Sequence, residues 1–470
     1  MRRRQREAAG TWMRLDNASK IFPATANAAD TKVYRLYCEL RAKVDPELLQ
    51  TALDRTLLRF PWFRMALGRG LFWYYFESSD LPARVEADCH PLFAPLHDTD
   101  RRRLPFRVLH HGRRIAVEVF HALSDGTGSF SFLRCLVSEY LRLRHPELDI
   151  AESEIVDIGS SQRQHLDDSF RRWFRQRPPR VRRQAAASRR SILRRRALQI
   201  PGAHAAPGCQ TVIEAGVPLS AALECSRAAG VSLTVWLAAL LLQAIYEDQT
   251  PQRSGLPAVI DVPVNLRRIF PSASARNFFG LLSLEHHRPD PAVVPPLEEL
   301  LPLLAGQLRQ QLEPAGLQAR AARLLAFERQ PLIRILPTVL KDPILSLIHR
   351  LADRGATSSL SNLGVVAMPA ACRPHIAAFG SATSTRSVQI CATSFGDRLT
   401  LCLTSALAVH EVERLFVRRL VRAGLEVEVT SNTEWAAALT AAGGRESAER
   451  EAAEREAAAA EAVESEPADA

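Results

Sequence analysis

Lysine is nearly missing from this chain. Only Lys20, Lys32, Lys43 and Lys341 occur in 470 residues, so arginine supplies almost all of the 61 basic residues behind the net charge of +10. So strong an arginine bias reflects genome composition as much as function. The stretch after Gly444 is acidic, which makes the rest of the chain more basic than the total suggests. A basic body suits an anionic partner: a phosphorylated cofactor, an acidic protein, a membrane surface or nucleic acid. Paired cysteine motifs are absent too. The eight cysteines form no Cys-x-x-Cys and no His/Cys cluster at zinc spacing, which argues against a metal site and for a reducing, cytoplasmic setting. Met1-Arg2-Arg3-Arg4 is followed by polar residues and not by an apolar run, so no signal peptide is expected. Long apolar runs are also lacking. Val235 to Ile245 is too short to span a bilayer, and Ile333 to Leu351 is interrupted by Pro337, Lys341, Asp342 and Pro343. That excludes a spanning helix and leaves peripheral membrane contact open.

What is there is an ordinary globular composition, 47% hydrophobic and 24% charged, with length for two or three domains and a large core. Residues 1–10 read as a disordered lead-in and Thr11 to Pro23 as an ordered arm. Val33 to Arg41 alternates as a half-buried strand. Asp45-Pro46 caps a helix carrying Leu49, Leu53, Leu57 and Phe60 at helical spacing. Hairpins are expected at Phe63–Glu77, Phe106–Phe120 and Val388–Ala406, each with a turn glycine. Further strands are read at Thr211–Gly216, Ala258–Val264 and Thr357–Gly364. Helices are read at Leu219–Ala229, Thr234–Tyr246, Pro295–Leu317 and His410–Ala423. Hairpin–helix order thus recurs in both halves. We expect an N-terminal lobe over 11–160, a basic linker over 161–204, a C-terminal lobe over 205–440 and an acidic disordered or solvated helical tail over 441–470. The linker's arginine pairs read either as a solvated, partly disordered connection or as a clamp for phosphate or an acidic partner. Nucleic acid is not expected, because no stacking aromatics are interleaved and no known module is legible.

The centre of the sequence is Val119-Phe-His121-Ala-Leu-Ser-Asp125-Gly126-Thr-Gly128. An alternating run ends on a histidine, Asp-Gly follows four residues later, and an apolar helical pattern then begins. By itself this reads equally as a capped turn, with Ser124 or Asp125 as N-cap and Gly126 easing the bend. In its setting, His-x-x-x-Asp-Gly resembles the active-site motif of the CoA-dependent acyltransferase superfamily. That superfamily includes chloramphenicol acetyltransferase, the plant BAHD acyltransferases, wax ester synthases and peptide-synthetase condensation domains. Three other regions are similar to its bacterial alcohol-acetyltransferase-like branch: Trp12-Met-Arg-Leu-Asp-Asn17; Arg59-Phe-Pro-Trp-Phe63 with Gly70-Leu-Phe-Trp73; and Val262-Pro-Val-Asn-Leu-Arg267 with Arg276-Asn277-Phe-Phe-Gly280. The sequence departs from relatives that carry a histidine pair, having Phe120 in the first place. The BAHD Asp-Phe-Gly-Trp-Gly stretch is also absent, and Ser394-Phe-Gly-Asp397 reads as a tight turn.

The resemblance implies an α/β, two-lobe, chloramphenicol-acetyltransferase-like fold of mostly antiparallel sheets with packed helices and an active-site channel between the lobes. It implies His121 as general base, Asp125 as a structural residue that orients the loop through a salt bridge, and Gly126 as slim backbone beside the channel. Arg267 is our candidate partner for Asp125, against its reading as a surface arginine after a strand. Ser361 and Asn362, or the preceding Thr357, Ser358 and Ser359, are oxyanion candidates, against their reading as a polar strand entry. The expected reaction moves an acyl group from acyl-CoA, a co-substrate and not a bound cofactor, to a small alcohol or amine. It proceeds in a ternary complex without an acyl-enzyme, and the absence of a Gly-x-Ser-x-Gly elbow agrees with that. Alternatives stay open: a thioester donor on an acidic carrier protein, a catalytically silent scaffold of the same fold, and nucleic-acid binding through the basic segment.

Overall fold

Alternating and helically spaced apolar residues succeed one another along the chain, and the computed structural model assembles them into three sheets with helices against them. The structure describes residues 12–98, 102–155, 168–174, 196–248, 255–290, 292–328 and 335–432. Residues up to Val429 form one compact unit; of the second unit, 430–470, only 430–432 are described. The lead-in, the 441–470 tail and most of the arginine pairs of the basic segment lie outside the described residues.

The first half contains β1 (Trp12–Arg14), α1 (Ile21–Thr25), β2 (Val33–Leu40), α2 (Pro46–Arg59), β3 (Met65–Arg69), β4 (Tyr74–Ser78), β5 (Val85–Ala87), β6 (Phe106–His111), β7 (Arg114–Phe120), α3 (Gly126–Arg144) and α4 (Ser169–Phe174). The second half contains β8 (Thr211–Pro218), α5 (Leu219–Ala228), α6 (Leu233–Asp248), β9 (Ala258–Asn265), β10 (Phe279–His286), α7 (Leu297–Leu312), α8 (Pro314–Glu328), α9 (Thr338–Asp353), β11 (Ser358–Val365), β12 (Ile376–Thr383), β13 (Val388–Phe395), β14 (Arg398–Ser405) and α10 (Glu411–Arg422).

Local chemistry accounts for the elements that aim the site. Asp45 accepts from the backbone N–H groups of Glu47 and Leu48, and Pro46 opens α2. Leu49, Ala52, Leu53, Thr56 and Leu57 then bury one stripe of that helix. α2 packs on α3 beneath the sheet β12-β2-β7-β6-β5. There the Phe63 and Phe132 rings stack at 4.0 Å, with Phe106 edge-on. β2 runs antiparallel to β7 with Val33 opposite Phe120, so the next residue, His121, stands just past the sheet's end. A buried charge network ties this sheet together. Glu118 accepts from Arg35 Nε at 2.9 Å and Arg107 Nε at 2.7 Å, while Arg35 also grips Asp88 through both terminal nitrogens.

The larger sheet contains the run β10-β9-β11-β13-β14-β8. Its neighbours are antiparallel except at β9/β11 and β11/β13, and the first sheet is antiparallel except at β5/β6. α6 is apolar over most of its surface and is buried from Val235 to Tyr246, as a core helix should be. The fold is therefore α/β with two lobes of mostly antiparallel sheet and packed helices.

Several elements differ from the sequence reading. β12 lies in the second half of the chain yet pairs with β2 in the first sheet. Its small residues give little strand signal, and Gly380 is required there because a Cβ would stand 2.2 Å from the Tyr37 ring. The single helix expected over 295–317 is broken: Glu313 is extended before Pro314, as proline demands of its predecessor, and α8 starts anew. The interrupted apolar stretch near 333–351 instead forms α9, which continues through Pro343. Within the basic segment α4 is ordered, burying Phe170 and Phe174 against Phe270 and Phe278.

Candidate active site

His121 follows the last residue of β7, and its backbone N–H donates to Lys32 O at 2.8 Å. Three rings enclose the imidazole. Phe22 of α1 stacks on it at 4.5 Å between centroids, Tyr34 meets it edge-on at 5.0 Å, and Phe279 lies tilted at 5.6 Å. Tyr34 is itself fixed, its hydroxyl bonding Ser124 O at 3.0 Å and Ser129 Oγ at 2.6 Å.

Asn277 fixes the tautomer. Its Nδ2 donates to the carbonyl oxygen of His121 and to Ser19 Oγ, each at 2.8 Å. A carbonyl only accepts, so the amide nitrogen must face it. The amide oxygen therefore lies 3.1 Å from His121 Nδ1 and accepts the proton carried there. That leaves a lone pair on Nε2, which has no hydrogen-bond partner among the described residues. Burial pushes the imidazole below its ordinary pKa, more than its own carbonyl, the Asp125 charge and Asn277 push it up; Lys32 adds to the lowering. Burial and the Asn277 contact together favour the neutral imidazole with its proton on Nδ1.

The Asp125 carboxylate is engaged elsewhere. One carboxylate oxygen caps α3 by accepting from Gly128 N at 3.0 Å. The other accepts from Arg267 Nη1 at 2.7 Å and Phe278 N at 2.9 Å. Arg267 spends its remaining donors on backbone, bonding Ser274 O and Arg276 O, and is positioned by Asn265 at the end of β9. The pair thus clamps the 265–278 loop of one lobe onto the start of α3 in the other. Ser124 Oγ adds a bond to Ala275 O at 2.6 Å. Close approach here excludes larger residues: a Cβ on Gly128 would sit 2.1 Å from Ala275 O, whereas one on Gly126 would meet only a methyl of Leu363 at 2.7 Å.

No protein-family pattern matches this sequence, and no curated protein matches it by sequence. Solved structures do match. Trichothecene 15-O-acetyltransferase TRI3 of Fusarium sporotrichioides superposes with a TM-score of 0.62 at 11% identity, over 88% of this chain and 94% of that one. TRI101 of F. graminearum, solved with coenzyme A and T-2 mycotoxin, gives 0.55 at 12% identity, over 89% and 99%. The starter condensation domain of rhizomide synthetase gives 0.52 at 11% identity, over 88% and 95%. This chain has the chloramphenicol-acetyltransferase-like fold. At these identities the fold is what is shared.

Within that fold the structure places His121, Asp125, Gly126 and Arg267 together. It does not bring Ser361 and Asn362 into hydrogen-bond contact with the loop. Both lie on β11; the Asn362 amide donates to Thr234 Oγ1 at 3.0 Å and accepts from Gly364 N at 3.0 Å. Gly364, at φ +79°, makes the bulge that carries β11 past this point, and Leu363 is the β11 side chain that reaches Gly126. Ser358 is bonded to Val388 O, and Thr357 accepts from Val259 N. Asn277, Phe22, Tyr34 and Lys32 were not singled out as site residues from sequence. Asn277 stood in one of the quoted stretches and Phe22 in the expected ordered arm, but nothing local in the sequence assigns either to His121. Among the described residues no group of three His, Cys, Asp or Glu side chains is placed to hold a metal ion.

Proposed function

We propose that this protein is an acyltransferase that moves an acyl group from acyl-CoA to a small-molecule hydroxyl or amine, with His121 as general base. The observation that carries the reading is the Asn277–His121 pair, which leaves Nε2 unprotonated and unpartnered at the end of β7. Nε2 takes the proton of the acceptor as its oxygen or nitrogen attacks the thioester carbonyl. The tetrahedral intermediate then collapses, the carbon–sulfur bond breaks, and the imidazolium returns its proton to the departing thiolate. Base assistance of this kind is worth about 10²- to 10⁴-fold in rate. Asp125 and Arg267 hold the loop and take no proton; Gly126 and Gly128 let it pack closely. Between Ser361 and Asn362 as oxyanion donors Ser361 is the better, since the Asn362 amide already donates to Thr234. Lobes over 11–160 and 205–440, joined through 161–204, with β12 of the second range completing the sheet of the first, and a reducing cytoplasmic setting belong to the same proposal. All eight cysteines are free thiols.

The test is thiol release from a panel of acyl-CoAs against alcohols and amines, run with wild type and His121→Ala. We expect turnover by wild type and loss of at least about 10²-fold in the variant. Full activity of His121→Ala on the same pair overturns the mechanism. Transfer only from a carrier-protein thioester would identify the donor as a carrier, and inactivity with every donor favours a silent scaffold.

A further inference from the structure

Helix α9 turns Thr338, Lys341 and Asp342 toward the protein and leaves a stripe of apolar side chains exposed, the reverse of a soluble surface helix. Thr338 donates from its backbone and hydroxyl to Leu71 O and Gly70 O. Lys341 donates to Phe72 O at 2.6 Å and lies 3.7 Å over the Trp73 ring. Asp342 accepts from Tyr74 Oη and Arg69 Nη2, and His349 joins Lys32 Nζ at 3.0 Å and Asp353 at 3.3 Å. The outward side carries Val339, Leu340, Ile344 and Leu347, each about half exposed or more, and Leu71 and Phe72 extend it at the turn that receives the helix start. Single exposed apolar residues are common, but a contiguous set on one helix face and an adjoining turn marks a contact surface.

We propose that this face docks on an anionic lipid surface. The charge distribution selects that occupant. The aspartates of α9 are committed to Arg69, Tyr74 and His349, while Arg350 and Arg354 stand exposed at its C-terminal end. An apolar stripe with exposed arginines at one end and aromatics at the other is the pattern of a helix lying in the headgroup region. Set against each other, these like charges disfavour a second copy of this chain as the partner. With 16 residues and four charged side chains α9 lies on a bilayer and does not cross it. Its position has a consequence that rests on the transferase reading. α9 packs on α1, whose Phe22 stacks on His121, and the Lys32 that His349 holds receives the His121 N–H. A membrane-dissolved acceptor or donor would thus enter from this side.

Flotation of the full chain with vesicles of phosphatidylcholine alone, and of phosphatidylcholine with a quarter phosphatidylglycerol, tests the docking by binding and not by turnover. Its failure is therefore separate from failure of the transferase reading. We expect the wild type to float with the anionic vesicles and less with the neutral ones. The double variant Leu340→Asp/Ile344→Asp should lose roughly tenfold or more of that partitioning. Leu58→Asp, at an exposed apolar site on α2, should keep it. Arg350→Glu should weaken binding to the anionic vesicles alone, and it decides the matter if circular dichroism finds the double variant misfolded. Three results overturn the proposal: no flotation with either vesicle, flotation indifferent to these substitutions, or self-association that they abolish in the absence of lipid binding.

Discussion

Asn277 and His121 hold each other at both ends: the amide nitrogen binds the histidine's carbonyl, and the amide oxygen takes the proton on its ring. One side chain thereby sets the position and the tautomer of the proposed base across 156 residues of sequence. Replacing Asn277 by Ala should lower kcat by roughly tenfold or more with little change in KM, because the substrate is still bound while the base is misoriented. Asn277→Asp should move the acid limb of the pH profile upward, since a carboxylate at Nδ1 stabilises imidazolium. A purely structural Asn277 would leave that limb where it is.

The pH dependence of the wild type follows from the same burial. His121 is pushed below the ordinary imidazole value of 6.5, and the proposed base works in its neutral form. Activity should rise with pH through an apparent pKa below that value and stay flat above it. A kcat/KM profile with its acid limb at about 7 or higher would contradict a buried neutral base.

Glycine substitutions should separate two neighbours in the motif. Gly128→Ala places a methyl against the Ala275 carbonyl, which is backbone held by Ser124, so the clamp between α3 and the 265–278 loop must open. Gly126→Ala asks only a Leu363 methyl to turn aside. Thermal melting and transferase assays should find the first variant damaged in both and the second far milder.

Removing the Asp125 carboxylate strands a guanidinium that is only 11% exposed. Asp125→Ala should therefore cost about 3–5 kcal/mol in urea denaturation. Asp125→Asn should cost less, because an amide oxygen can still accept from Arg267 or Gly128. Equal stability of Asp125→Ala and wild type would remove the clamp from the account.

Glu118 offers a check on the first sheet. Burial alone would raise its pKa, but Arg35 and Arg107 outweigh burial and hold it below the usual carboxylate range. A carboxylate lowered in the folded state stabilises the protein above its unfolded pKa, and that contribution is lost as pH falls through the folded value. Urea midpoints measured from neutral to acid pH should fall through that window in wild type, and Glu118→Gln should flatten the fall.

Much of the architecture was legible because it is local. Asp45-Pro46 starts α2, and the Gly112 turn, at φ +54°, closes the β6–β7 hairpin. The Val235–Tyr246 stretch, apolar but for Gln243, is a buried helix. Two elements that the sequence reading left unassigned depend on partners far away in sequence. β12 looks weak until Tyr37 and β2 give it a place, and α9 looks broken because Lys341 and Asp342, which interrupt its apolar run, face inward to Phe72, Arg69 and Tyr74.

The sequence by itself determined which chemistry could occur here: a histidine at a strand end, an Asp-Gly four residues on, and an Asn-Leu-Arg after a later strand. Side-chain type and the periodicity of burial are properties of the chain, so they can be read directly. Only the tertiary structure decided which nitrogen of His121 is free and which donor meets Asp125. It also decided which glycine cannot change and which face of α9 looks outward. Each of these turns on a contact between residues remote in sequence, and contacts of that kind exist only once the two lobes have packed.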